Sequence, residues 1–176
     1  QVAELKMLTM RTIDNLRQFV SDLRPTVLDD MGLVAALRWF AQQFAEHSDI
    51  QLNIEIIGAK RRLPSQVETV LFRIAQEGLN NIRRHARAQH AKVCLEFVDS
   101  KILLTVEDDG RGFNPDQFLG AQSERRAWGL LGIQERIELV GGKFKIDSAP
   151  GRGTKLAVEI LLEGNGVSAH NAHKRE

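Results

Sequence analysis

Apolar residues recur along this chain with two periods, and the periods sort it into elements. Every second residue is apolar at Leu52, Ile54 and Ile56, at Val93, Leu95 and Phe97, at Ile102, Leu104 and Val106, at Phe144 and Ile146, and at Leu156, Val158 and Ile160. Successive side chains of a strand point to opposite faces, so this alternation predicts half-buried strands. Cys94 and Glu96 fall on the other face of their strand. Elsewhere the apolar spacing is three and four. Gln1 to Leu23 holds no Pro or Gly and carries two apolar stripes, one through Ile13, Leu16, Val20 and Leu23, the other through Leu5, Leu8, Thr12 and Phe19. Two stripes suit a helix with more than one neighbour in a bundle, although a single core-facing helix fits the same residues. Arg24-Pro25 ends it, because a residue before proline avoids the helical region. A second helix is expected over roughly Leu33 to Glu46, capped by Asp29 or Asp30, with His47 at its end, where a cation is favourable. A third runs from about Pro64 to Ala86, with Val67, Val70, Leu71, Ile74, Gly78 and Ile82 as its core stripe. A fourth opens at Gly129-Leu130-Leu131-Gly132, turns Ile133, Ile137 and Val140 inward, and stops at Gly141-Gly142.

The connections are polar or turn-rich. Lys60-Arg61-Arg62 reads as a solvated loop, Asp99-Ser100 as a tight turn, and Pro150-Gly151-Arg152-Gly153-Thr154 as the turn into the last strand. Asn114 to Trp128 has no clean period and holds Arg125, Arg126 and Trp128 near its end. A stretch of that kind in a compact domain is a lid or a disordered segment. From Glu163 onward Gly, Asn, Ser and His replace any apolar pattern, so the tail reads as disordered.

Length and composition narrow the class. At 176 residues the chain should form one domain with an appendage. A net charge of +1 argues against a nucleic-acid footprint, which needs a clustered basic excess. One cysteine, Cys94, precludes an internal disulfide and fits a reducing, cytoplasmic compartment. No apolar run reaches the length of a membrane span, and no signal peptide opens the sequence. The chain starts at Gln1 rather than Met and is expected to be a piece of a longer protein.

Candidate chemistry gathers in a few places. Continuing the Ile102–Val106 alternation puts Asp108 on the inward face, where a carboxylate is costly unless paired. Gly110 and Gly112 follow at spacing D-x-G-x-G and let the backbone turn and approach a ligand closely. A carboxylate only accepts, and it suits the amino group of a buried flat ring such as adenine N6. The same stretch also reads as an Asp-Gly turn closing a strand. On the third helix, at about 100° per residue, Glu77, Asn81 and Arg84 fall within about 60° of one another on the flank of the core stripe. The Asn81 oxygen suits a hard cation such as Mg²⁺; Arg84 suits a phosphate, and His85 stands next to them. An ordinary polar helix edge reads the same way. Glycines at the start of the fourth helix leave amides free for an anion. His90 reads as a surface residue, and His170 and His173 as tail residues open to stray metal. There is no P-loop, no third glycine for a dinucleotide fold and no zinc spacing.

Glu77-x-x-x-Asn81, Asp108-x-Gly110-x-Gly112-Phe113, Gly129-x-x-Gly132 and Gly151-x-Gly153-Thr154 stand in this order. The set resembles the N, G1 and G2 boxes of the GHKL ATPases, the group containing gyrase, MutL and bacterial sensor histidine kinases, over about Gln51 to Leu162. Gln76-Glu77-Gly78-Leu79-Asn80-Asn81, Arg84-His85-Ala86 and Gly129-Leu130-Leu131-Gly132-Ile133-Gln134-Glu135-Arg136 resemble the kinases that serve NarL/LuxR-type response regulators. Leu23-Arg24-Pro25 with Leu28, Gly32 and Leu33 resembles their junction between dimerisation helices and ATPase domain.

The resemblance implies an α+β fold, a two-layer sandwich with a mixed sheet on one side, helices on the other and ATP between. It implies three segments: 1–28, the second helix of the dimerisation hairpin and the junction; 29–162, the catalytic domain; and 163–176, the tail. It implies that Asp108 receives adenine N6, that Asn81 binds Mg²⁺ and that Arg84 and His85 contact phosphate. Gly110, Gly112 and Phe113 would shape the adenine wall and Gly129, Leu130 and Gly132 the phosphate cradle, while Thr154 would sit near Asp108. Glu77 would be a polarising or accessory group. Implied partners are ATP, the protein's own dimerisation helices in a homodimer and a response regulator; nucleic acid and membrane contact are not. Such kinases keep the phosphoacceptor histidine beside an acidic residue on the first dimerisation helix, and none of the five histidines here has that setting. Two alternatives share parts of the pattern: a serine kinase of the anti-sigma type, and an ATP-binding module without catalysis.

Overall fold

A computed structural model describes residues 26–115 and 133–162, with side chains from Leu28 onward. The expected helix over Gln1–Leu23, the segment from 116 to 132 and the tail lie outside the described residues. The element order is α1 (Thr26–Glu46), β1 (Gln51–Ile57), α2 (Ser65–Asn81), a π-helical turn (Ile82–Ala86), β2 (His90–Val98), β3 (Lys101–Asp108), a helical stretch α3 (133–138), β4 (Lys143–Ser148) and β5 (Thr154–Leu161).

The strands form one mixed sheet of order β1-β2-β3-β5-β4. β1 and β2 are parallel; the other pairs are antiparallel. The period-two residues do what their spacing requires. Val93, Leu95, Ile102, Leu104, Val158 and Ile160 are buried on one face and meet Leu71, Phe72, Ile74 and Leu79 of α2, Leu33 and Leu37 of α1, and Ile133 and Ile137 of α3. The other face is wet, crossed by the ion pairs Lys92–Glu55, Lys101–Glu159 and Lys155–Glu107. Among the described residues the helices cover one side only, giving the two-layer α+β architecture. Phe40 of α1 meets Phe72 of α2 edge to face, ring centroids 6.0 Å apart.

Three expectations change. The second helix does not start from a cap at Asp29 or Asp30, because the chain is already helical at Thr26. The interruption comes at Gly32, with φ 79° and ψ 175°, a backbone shape that glycine adopts without a Cβ penalty. Leu28, in the turn before that break, is fully buried and holds it to the core. The basic run at Lys60 to Arg62 is not simply solvated. Arg61 donates to the carbonyls of Val98 and Asp99. Arg62 pairs through Nε with the buried Glu68 at 3.3 Å, and its Nη2 reaches Asp29 O. Finally, the third helix is α-helical only to Asn81, and its last turn, Ile82–Ala86, is a π-helix. His47 fits its place: Nδ1 lies 2.8 Å from Gln43 O at the end of α1.

Candidate functional site

The buried alternation of β3 runs to the strand's last residue, so Asp108 points under the sheet and is only 8% exposed. The Gly110 amide donates to its Oδ1 at 2.8 Å, closing a turn of the kind Asp side chains favour. Thr154, the cross-strand partner of Asp108 on β5, donates its amide as well. Burial pushes the Asp108 carboxyl above the usual carboxylate range; the Gly110 amide pulls it back, and neighbouring Asp109 pushes it up again. The result is a shielded acceptor, partly satisfied, at the mouth of the sheet.

The glycines around it are places where backbone rests on backbone. A Cβ on Gly110 would run into Ala86 O and lie 2.8 Å from that residue's carbonyl carbon. Arg111 N donates to the same oxygen at 2.8 Å. Gly112 (φ 57°) packs on Ala149 O and Gly153 O, and Gly153 (φ 70°) on Asp108 O. Phe113 N donates to Ser148 Oγ at 2.9 Å, which donates to Gly153 O and lies 3.0 Å from Thr154 Oγ1. Ser148, at the end of β4, thus ties the Asp108–Phe113 turn to the β4–β5 turn. The sequence alone does not single it out, since a serine ending a strand carries no distinguishing pattern.

Helix α2 crosses β3 closely at Gly78, where a Cβ would sit 3.1 Å from Val106 Cγ1. That approach carries the C-terminal end of the helix toward the end of β3 that holds Asp108. Glu77 and Asn81 are half-buried neighbours there, with Asn81 Nδ2 donating to Glu77 Oε1 at 3.3 Å. The bond engages the amide nitrogen of Asn81, not its oxygen Oδ1. A neutral oxygen beside a carboxylate suits a hard cation that also keeps phosphate or water ligands. Among the described residues no group of three or more His, Cys, Asp or Glu gathers to hold a metal by itself.

Helical counting puts Arg84 beside Asn81, but the count holds only as far as Asn81. A π-turn is wider and advances fewer degrees per residue. Accordingly Arg84 is exposed, while His85, one position further, is half-buried. The π-turn ends on Arg87, in a left-handed conformation (φ 55°).

Sequence reasoning also passes over Asp109 and gives His90 no partner. Asp109 Oδ1 accepts from the amides of Gln89 at 2.8 Å and His90 at 2.9 Å; Oδ2 lies 2.6 Å from His90 Nδ1. Those donors, first the His90 amide and then its ring, pull the Asp109 carboxyl down to about 2. So the structure brings Asp108, Gly110, Gly112, Phe113 and Thr154 into one corner, with Glu77 and Asn81 on the adjoining helix and the π-turn abutting Gly110. Gly129, Leu130 and Gly132 lie outside the described residues.

Residues 66–164, more than half of the chain, match the family described as histidine kinase-, DNA gyrase B- and HSP90-like ATPase. The chain belongs to this ATPase family. It is similar to the signal transduction histidine-protein kinase/phosphatase DegS of Brevibacillus brevis, 33% identical over 92% of this chain and 41% of that protein. It is also similar to the oxygen sensor histidine kinase NreB of Staphylococcus carnosus, 36% identical over 86% of this chain and 43% of that protein. The ATPase chain thus spans less than half the length of either relative. In fold it resembles the histidine kinase domain of the blue-light-activated kinase of Erythrobacter litoralis EL346, with a TM-score of 0.61 at 20% identity, covering 74% of this chain and 61% of that one. This is the type of ATPase domain that sensor histidine kinases carry. Among its described residues no helix is long and apolar enough to cross a membrane.

Proposed function

We propose that this ATPase domain transfers the γ-phosphoryl group of ATP to a histidine on a dimerisation helix, for relay to a response regulator of the NarL/LuxR type. The carrying observation is the buried Asp108, an amide-braced acceptor beside a wall of glycine backbone, at the end of the strand that α2 crosses. Asp108 accepts from adenine N6, with Thr154 beside it; Gly110, Gly112 and Phe113 form the wall against the base. Arg84 and His85 meet phosphate oxygens, and Gly129, Leu130 and Gly132 complete the phosphate side. The Asn81 oxygen would hold Mg²⁺, which would supply charge neutralisation on the phosphates. Glu77 holds the Asn81 amide and polarises the acceptor side. In the transfer the bond from the γ-phosphorus to its bridging oxygen breaks, ADP leaves with those electrons, a bond forms to the imidazole nitrogen, and the imidazole gives up its proton. Little covalent work falls to the protein, whose part is positioning and electrostatics.

Residues 1–28 fit the end of a dimerisation hairpin and its junction, and the cytoplasm fits as the site of action. No histidine in this sequence is directly followed by an acidic residue, so the acceptor belongs to another segment. Incubation with γ-labelled ATP tests this. The chain alone should bind ATP without becoming labelled, and a separately made dimerisation hairpin should become labelled with an acid-labile, base-stable product. Acid-stable labelling of this chain alone would instead indicate a serine or threonine kinase.

A further inference from the structure

The base corner and the phosphate-side helix are far apart along the chain. From the π-turn the backbone passes through residues 87–89, all of β2, a turn and the length of β3 to reach Asp108, the last residue of that strand. Their relative placement therefore rests on non-covalent contacts. One is main chain on main chain, Arg111 N to Ala86 O at 2.8 Å. Several more belong to one residue. Asp109 takes the Gln89 and His90 amides on one oxygen and the His90 ring on the other, while its own amide donates to His90 O at 3.3 Å. Asp109 does not owe this to burial, since its side chain is 46% exposed. An exposed ion pair by itself contributes little. Two backbone amides on one oxygen, however, fix the path of the chain just after the π-turn, and the Asp108 turn is fixed with it. The low carboxyl pKa, about 2, follows from the same donors.

We propose that Asp109 is a positioning residue for nucleotide binding, holding the base-recognition turn at a set distance from the phosphate-binding helix through Gln89 and His90. The proposal rests on the nucleotide reading of Asp108 and Asn81 given above. Its consequence is selective. A ligand that touches both halves gains from their fixed separation, as two linked contacts gain from effective concentration. A ligand that touches one half gains nothing.

Titration of the folded chain with Mg-ATP and with adenosine, followed by NMR and calorimetry, separates the two. Asp109→Ala should weaken ATP roughly tenfold, a loss of effective concentration, and leave adenosine affinity unchanged. Asp109→Asn keeps an oxygen for the two amides and should restore most of the ATP affinity. His90→Ala keeps both amides and should fall between. Equal weakening of ATP and adenosine in Asp109→Ala would mean general damage to the corner and overturn the proposal, as would ATP affinity equal to wild type. Should Asp109→Ala fail to fold, the ratio of ATP to adenosine affinity in Asp109→Asn and His90→Ala decides, and a wild-type ratio in both overturns it. Failure of the wild-type chain to bind ATP more tightly than adenosine is a different result, which removes the phosphate side of the nucleotide reading itself.

Discussion

Replacing Asp108 by Asn deletes one charge while keeping the shape of the side chain, and it should push stability and affinity in opposite directions. Without ligand the charge is a burden. The carboxyl is buried, and burial raises its pKa above 3.8 despite the Gly110 amide at 2.8 Å. A carboxyl whose folded value lies above its unfolded value favours the fold most at low pH. That contribution is lost as pH rises from the ordinary value through the raised one. At neutral pH the ionised form is therefore the costly one. Asn avoids that cost and still offers an oxygen to Gly110 N, so the free protein should melt at the same temperature as wild type or higher. With ligand the balance reverses. A carboxylate has two accepting oxygens; Asn has one, and the Gly110 and Thr154 amides already draw on it. The Asn amide then faces an incoming amino group, donor against donor. What is lost is a charge-assisted hydrogen bond of about 1.5–3 kcal/mol, or roughly tenfold to 150-fold in Kd. Calorimetry with Mg-ATP reads the affinity, and thermal unfolding of the free protein reads the stability. Unchanged affinity would remove Asp108 from the base contact. A melting point several degrees lower would mean that its charge supports the fold, the opposite of what its burial implies.

Gly110→Ala should cost about 1–3 kcal/mol from overpacking against Ala86, and the displaced Arg111–Ala86 hydrogen bond adds about 1 kcal/mol. Gly151→Ala meets nothing within 4 Å and bears only the left-handed backbone cost at φ +80°, about 1–2 kcal/mol, so paired urea titrations should rank the two. Asp109 should support the fold above its unfolded value of 3.8 and stop doing so as pH falls through about 2. The acid limb of thermal stability should accordingly be shallower in Asp109→Ala, and an unchanged limb would count against that assignment. Leu71→Ala, at a fully buried position of α2, should lose about 2–5 kcal/mol in the same urea assay.

Most of the fold is legible in the sequence because each strand buries one face. Ile102, Leu104 and Val106 announce β3, and the same alternation carries Asp108 inward with no further information. The Val67–Ile82 stripe likewise places α2 on the sheet, and Gly78 fits that stripe because Val106 leaves only a tight fit for a Cβ. What escapes depends on backbone geometry or on distant partners. Gly32 breaks a helix by a positive φ that composition does not encode, while Asp29 and Asp30 offer a more familiar cap. Ile82–Ala86 has ordinary helical residues, so nothing local distinguishes a π-turn from an α-turn. Arg61 and Arg62 look like solvated charges until their acceptors, Val98 O, Asp99 O and Glu68, arrive from elsewhere in the chain. The Asp109–His90 pair joins residues 19 apart, and it forms only once β2 and β3 are in register.

The glycine wall also bears on how such a site can diverge. At Gly112 and Gly153 main chain lies on main chain with no space for one added carbon. A surface of that kind has no side chains to exchange, so small mutational steps have nothing to reshape. Any change there is all or nothing, whereas the rim around it is free to drift residue by residue. Descendants of this chain would inherit the wall intact and acquire new preferences at its borders.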